Sequence, residues 1–492
     1  MMKRLLPLAV VLLSIAQIAA PQDQTSEELF YDGLFFYEEE EDYEEAVYIF
    51  TQLYEREPQN ANVAFHIGMC YNHIQGEEDE GIPYFIEACK NTSLKNKGNK
   101  YTEKQAPYHA WFYLAEAYRL TNQLDEALEA LESFRSLEDF DKHYNVRITE
   151  EAVAAIERAK IIRDAELTLR ALYFNEPINT PEDDYSGVIS ADGNRMVWVN
   201  SKTFYEAVYM SSRENGQWTV PVLITPQIVS DGDLFPTGLS ADGNTLLLVK
   251  DPAEGDKDIY FSQYDGLIWS AAEPLPGAIN TKNDEAHASF SPDGTRIYFA
   301  SDRRGGFGGL DIWYSDRQPD GHWGEPVNMG EVINTDLDET SAYIAPAEGR
   351  FIFASQGHFN MGGFDIFRCE LGVDGTWGEP SNIGYPINTT GDNTFYVPLN
   401  DGLSGLATRF TDEAIGKNDL WYLEIISDEG FVSGAMTELG TEKGLSIKNF
   451  AIILVDEDTG EEIEVIYDAE TDSFRALGEQ GKNYKIISYK AQ

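Results

Sequence analysis

Five aspartates, Asp183, Asp233, Asp284, Asp338 and Asp392, recur through the middle of the chain at intervals of 50 to 54 residues, each seven positions before a turn serine or its equivalent. That spacing places one carboxylate at the start of each of five repeated strands, so the five are expected to circle one mouth of a central channel. Two chemistries suit them. Each could cap its own inter-repeat turn by accepting backbone N–H bonds, as aspartate does well. Alternatively the five form a negative collar that receives a basic peptide segment or a cation.

The elements that must position these carboxylates are written in the same repeat. One copy, residues 284–323, runs from Asp284-Glu285 through the turn Ser291-Pro292-Asp293-Gly294-Thr295 to Arg296-Ile297-Tyr298-Phe299, Asp311-Ile312-Trp313 and Gly321-His322-Trp323. The turn glycine recurs at Gly193, Gly243, Gly294, Gly349 and Gly402. A period of this length, built from short strands and tight Asp-Gly turns, is one four-stranded blade per repeat, so residues 171–427 read as a five-bladed β-propeller. The third-strand signature appears at Asp258, Asp311, Asp365 and Asp419 and, degenerately, at Ala207-Val208-Tyr209, whereas the Gly-x-Trp element read as the fourth strand occurs only at Trp218, Trp269, Trp323 and Trp377. The fifth blade therefore lacks an outer strand. Residues 171–180 end in Ile178-Asn179-Thr180, like Ile333-Asn334-Thr335 and Ile387-Asn388-Thr389, and are expected to supply it through residues 172–177 and hide an open sheet edge.

Upstream, residues 26–167 follow a helical period. Leu29, Gly33, Ala46 and Phe50 are echoed 35 residues later by Ala64, Gly68, Gly81 and Phe85. A third set follows in Trp111, Leu114, Ala115, Tyr118, Ala127, Leu131 and Phe134. Small residues where two helices touch, with large ones flanking them, resemble tetratricopeptide repeats, an α-solenoid with a concave groove. A last helix over 149–167, opened by Thr149-Glu150-Glu151, is expected to be its polar-faced cap. Tyr37, Asn72 and Tyr118 are the groove candidates, for binding or for inter-repeat packing. Lys95, Lys97 and Lys100, with Lys104, form a basic insertion opposite in sign to Glu38-Glu39-Glu40-Glu41-Asp42. Each charge run reads either as a solvated loop or, for the lysines, as a field that meets acidic lipid or an acidic partner.

Composition narrows the field. With 85 acids against 36 bases and a formal charge of -49, the chain is unsuited to nucleic acid, whose phosphates demand excess Lys and Arg. Cys70, Cys89 and Cys369 are too scattered for a disulfide framework and read as buried small hydrophobes. At the N-terminus, Lys3 and Arg4 precede an apolar run over 5–16 and the small residues Ala19 and Ala20, the layout of a signal peptide over 1–20. The expected location is therefore periplasmic, with no membrane span. Residues 429–492 alternate apolar and polar positions and read as a small β-sandwich.

The blades resemble the PD40 repeat, a TolB-like and WD40-like propeller unit, most clearly in Ser291-Pro292-Asp293-Gly294 and Gly308-Gly309-Leu310-Asp311-Ile312-Trp313. The last segment resembles a carboxypeptidase-regulatory-like domain, a spacer rather than a peptidase. The order of these parts is similar to periplasmic PorE-type proteins of Bacteroidetes, which implies protein partners in the cell envelope, association with the outer membrane and a link to type IX secretion or gliding. Such proteins usually continue into an OmpA-like peptidoglycan-binding domain. This sequence ends at Gln492 without that pattern, so the resemblance does not carry direct peptidoglycan anchorage over to it.

Enzyme chemistry finds few residues to use. The seven histidines show no paired metal spacing. Gly402-Leu403-Ser404-Gly405-Leu406 departs from the Gly-x-Ser-x-Gly elbow at its last residue, and the Asp-Gly turns lack the Gly-x-Thr-Trp ending of sialidase boxes. The expectation is a non-catalytic scaffold without cofactor. A carbohydrate- or peptidoglycan-associated module and a glycan hydrolase using paired carboxylates are the alternatives.

Overall fold

The computed structural model describes residues 24–427, apart from 253–254, 348, 373–374 and 412–413, together with six strands between Phe431 and Lys490. The signal-peptide segment 1–20 and residues 457–461 of the C-terminal segment lie outside the described residues. By contacts the chain divides into two compact units at Leu114/Ala115, well before the expected boundary at 167.

The first unit is built from helix pairs. Helix α1 (Ser26–Glu38) opens with a capping box, Glu28 N donating to Thr25 Oγ1 at 3.2 Å and Thr25 N to Glu28 Oε2 at 2.8 Å. Asp42 and Asn60 cap α2 (Tyr43–Arg56) and α3 (Ala61–Tyr71), and α4 (Glu78–Cys89) completes the second pair. The 35-residue echo has a steric meaning. A Cβ on Gly33 would sit 2.8 Å from the Phe50 ring, and one on Gly68 would sit 2.9 Å from the Phe85 ring. Each pair closes by pressing a phenylalanine onto a glycine, and the core continues through Phe30, Leu53, Val63 and Ile67. The insertion after α4 folds back through a parallel pairing of Thr92–Ser93 with Ala106–Pro107.

Helix α5 (Ala110–Leu120) carries the chain into the second unit, where α6 (Leu124–Arg135), α7 (Phe140–His143) and α8 (Val146–Asp164) follow. The last helix starts at Val146, capped by Asn145, and not at Thr149, which is buried one turn inside with its hydroxyl on Val146 O. Nor is α8 a polar cap facing solvent. Arg158 donates from Nε to Asn360 O at 3.0 Å and from Nη2 to Asn360 Oδ1 at 2.8 Å, and Arg119 Nη1 donates to Thr390 O. These helices are joined to the propeller.

The propeller has five blades in the described residues, four of them four-stranded and the first five-stranded, because both Gln217–Trp218 and Val222–Leu223 pair with its third strand. Their inner strands are Asp184–Ile189, Leu234–Leu239, Glu285–Phe290, Glu339–Ile344 and Tyr396–Leu399. The second strands are apolar on both faces because blades stack face to face. Leu246 and Leu248 enter one inter-blade core while Leu247, between them, enters the next, and all three have no exposed surface. Each such leucine contributes about 2 kcal/mol by burial. The five turn glycines have φ of 67°, 70°, 68°, 69° and 85°, the left-handed conformation that the Asp-Gly turn requires.

Two strand assignments shift. Trp269, Trp323 and Trp377 form single bridges to the third strand, and the outer strands proper lie beyond them at Glu273–Pro274, Val327–Asn328 and Ser381–Asn382. The missing outer strand of blade five is supplied from upstream, as expected, but by Thr168–Tyr173 rather than 172–177. It pairs with Asn418–Ser427, a ten-residue third strand long enough to recruit partners as far back as Thr168. In the C-terminal segment the backbone forms two three-stranded antiparallel sheets.

Candidate functional site

The five repeated aspartates stand one or a few residues before the inner strands, and their oxygens turn toward the neighbouring blade. Asp284 Oδ1 accepts from Lys257 N at 2.8 Å, Asp338 Oδ1 from Leu310 N at 2.7 Å and Asp392 Oδ1 from Phe364 N at 2.8 Å. Asp183 Oδ1 accepts from Lys417 N and Asn418 N, both at 3.0 Å, across the point where the chain closes the ring. The expectation of caps on their own turns is thereby corrected to clamps between blades. Asp233 differs: it pairs with Lys250 at 3.0 Å. Burial works to raise its carboxyl, and the lysine outweighs that and holds it below the usual range. Among the described residues no three His, Cys, Asp or Glu side chains are grouped to hold a metal ion.

Beside each clamp lies a second set of groups that the sequence analysis missed. Asp184, Glu285 and Glu339 have no exposed surface. Each accepts the amide of a threonine four residues earlier: Thr180 N at 2.7 Å, Thr281 N at 2.8 Å and Thr335 N at 2.8 Å; Asn393 does the same for Thr389 N at 2.8 Å. A second-strand donor completes each acid, as with Ser355 Oγ on Glu339 at 2.7 Å. Burial raises Asp184 to about 6 and Glu339 to about 7, and raises Glu285 despite Arg303 at 2.9 Å. The asparagine of each Ile-Asn-Thr repeat is the other missed group. Asn334 donates to Ile312 O at 3.0 Å and accepts from Ile312 N at 2.8 Å, imitating a strand partner. Asn179 does the same to Leu420, at 3.0 and 2.9 Å. The repetition of Asn and Thr is the signal in the sequence, but it marks a repeat end without naming a partner.

Between the inner strands, buried side chains bridge one blade to another. Tyr343 Oη donates to Thr237 O at 2.8 Å and so accepts from His287 Nε2 at 3.0 Å, while the His287 ring meets Phe395 at 5.9 Å. Burial pushes His287 down to about 3, so it is neutral there. At the turn end of the strands, opposite the aspartate clamps, all five blades line a small depression that includes Ile189, Leu239, Phe290, Ile344 and Val397.

The groove candidates divide by environment. Tyr37 is half-buried, its hydroxyl 3.4 Å from His73 Nε2 and its ring edge-on to Tyr43 at 5.6 Å. Asn72 is the C-cap of α3 and donates to Tyr113 O at 3.3 Å. Both contribute to packing between helices. Tyr118 is half-buried on α5, in the second unit, so the structure does not unite the three in one described unit. Lys95, Lys97 and Lys100 are all exposed on the 92–107 loop. Lys104 is instead bound to Glu57 at 2.7 Å and lies 3.5 Å over the Tyr101 ring. Cys70, Cys89 and Cys369 are buried free thiols.

A tetratricopeptide repeat family model matches residues 109–137. No curated protein matches the chain. Among solved structures, TolB from Acinetobacter baumannii is 15% identical over 49% of this chain and 54% of its own, with a TM-score of 0.32. This chain therefore spans about half of that protein. TolB from Agrobacterium tumefaciens is 19% identical over 48% of this chain and 72% of its own, at 0.30, and the Podospora anserina α-L-arabinofuranosidase is 10% identical over 53% and 98%, at 0.34. At such values none of their activities transfers to this chain. No helix of the described residues is long and apolar enough to cross a membrane.

Proposed function

We propose that this chain is a non-catalytic scaffold that holds protein partners of a bacterial cell-envelope complex on the periplasmic side, in association with the outer membrane, and that the complex belongs to type IX secretion or gliding. The observation that carries the first part is the commitment of the repeated polar groups. Four of the five aspartates, three buried acids and the Ile-Asn-Thr asparagines already hold backbone amides of their own or a neighbouring blade. An acid engaged in this way is architecture, and a ring built from such acids offers surfaces rather than a reaction centre. The tetratricopeptide match over 109–137 and the acidic, signal-led sequence agree with a binding role outside the cytoplasm. The narrower assignment rests on the likeness of domain order alone.

Cross-linking in whole cells followed by recovery from the envelope fraction tests the proposal: a reproducible set of envelope proteins is expected. Recovery of the chain from the cytoplasm without partners overturns it. So does hydrolysis on a glycan panel that a single carboxylate change abolishes.

A further inference from the structure

We propose that the 92–107 loop is a docking platform for an acidic, extended protein segment, received by Lys95, Lys97 and Lys100; this rests on the reading of the chain as a scaffold for protein partners and names the chemistry of one of them.

The loop is unlike a solvated charge run because it is held at many points. Two side chains of α3, Asn62 with no exposed surface and His66 at 6%, both reach one carbonyl: Asn62 Nδ2 lies 3.0 Å and His66 Nε2 2.8 Å from Gly98 O. Gly98 N donates to Glu103 Oε2 at 2.9 Å, Asn96 Nδ2 to Gln105 O at 2.9 Å, and Tyr101 Oη to Glu57 Oε1 at 2.6 Å. Within this frame the charges are sorted. Lys104 and Glu103 are consumed internally, whereas Lys95, Lys97 and Lys100 stay exposed and enter no ion pair among the described residues.

A fixed frame lowers the ordering cost of binding, which matters because single surface ion pairs are weak and several must act together. The overall charge selects the class of partner. On a chain of formal charge -49, a broad anionic bilayer would be repelled by the acids in excess, whose fields salt largely screens only beyond about 8 Å. A narrow acidic segment meets the loop and avoids the rest.

The test uses the full chain, a labelled eight-residue peptide of alternating Asp and Glu read by fluorescence anisotropy, and phosphatidylserine vesicles read by sedimentation. The parent is expected to bind the peptide with an affinity that falls as salt rises, and to leave the vesicles in solution. The triple variant Lys95→Gln, Lys97→Gln, Lys100→Gln should bind the peptide about tenfold more weakly, each single change about two- to threefold, and Lys282→Gln on the propeller not at all differently. Melting temperatures should match throughout, since the changed side chains are exposed. Absence of peptide binding by the parent, equal binding by the triple variant, or lysine-dependent binding to vesicles without binding to peptide each overturns the proposal. Envelope partners recovered at parental level by the triple variant would remove this partner chemistry while leaving the scaffold reading in place.

Discussion

Replacing Asn179 by alanine should weaken the ring at its seam by about 2 to 6 kcal/mol. Asn179 is fully buried and bonds both backbone groups of Leu420, itself without exposed surface, at 3.0 and 2.9 Å. Alanine removes both partners at once, stranding one buried N–H and one buried C=O, and each unsatisfied group costs about 1 to 3 kcal/mol. That is a large share of the roughly 5 to 15 kcal/mol by which folded domains are stable. Asn334→Ala is the matched control, because Asn334 makes the same two bonds to Ile312, at 3.0 and 2.8 Å, between blades that are continuous in sequence. Urea unfolding followed by tryptophan fluorescence reads the propeller, since of the eight tryptophans only Trp111 lies outside it. The two variants should lose similar stability, and in Asn179→Ala the amides of Thr168–Tyr173 and Asn418–Ser427 should also exchange faster with deuterium. A loss below about 0.5 kcal/mol in Asn179→Ala beside a full loss in Asn334→Ala would refute the reasoning, because the ring would then be closed by the outer strand alone.

Burial sets two opposed pH dependences on stability. Burial raises Asp184 to about 6 and Glu339 and Asp365 to about 7, above their unfolded values, so the stability they contribute is fully present only below about 4 and is lost as pH rises from there through 6 to 7. His66 and His287 are pushed by burial to about 4 and about 3, so their contribution is present above 6.5 and lost as pH falls through those values. Between about pH 4 and 7 these two contributions oppose each other, so Glu339→Gln should gain melting temperature relative to the parent as pH rises through that range. Asp284→Asn with Asp338→Asn should cost less than about 1 kcal/mol each, because Asn keeps the Oδ1 that accepts from Lys257 N and Leu310 N, whereas alanine at both sites should cost more, as chemical denaturation would show. Gly68→Ala should destabilise the first unit by about 1 to 3 kcal/mol, read from helical circular dichroism on heating, since the new Cβ meets the Phe85 ring at 2.9 Å.

Blade count, turn chemistry and the borrowed outer strand were legible in the sequence because each depends on local rules. A left-handed turn calls for glycine, a half-buried strand alternates, and a helix pair needs a small residue at the crossing 35 positions from its counterpart. Gly193 and Gly68 could be assigned from their neighbours alone. The site residues were legible only as repeats. Asp183 stood out by spacing, but nothing near it in sequence names Lys417 and Asn418, 234 and 235 residues away, as its donors. The burial of Glu339, the two-sided grip of Asn179 and the loss of α8 as a polar cap were equally hidden.

By itself the sequence determined the period, the elements and the sign of the charge, since these follow from backbone conformation and residue type over a few positions. Only the tertiary structure decided which blade each carboxylate holds, where the ring closes, and that Arg158 and Arg119 join the last helices to Asn360 and Thr390. The reason is physical: a polar side chain's partner is whichever backbone donor or acceptor it meets once the blades have docked and excluded water, and that meeting is set by packing across hundreds of residues rather than by the residues on either side.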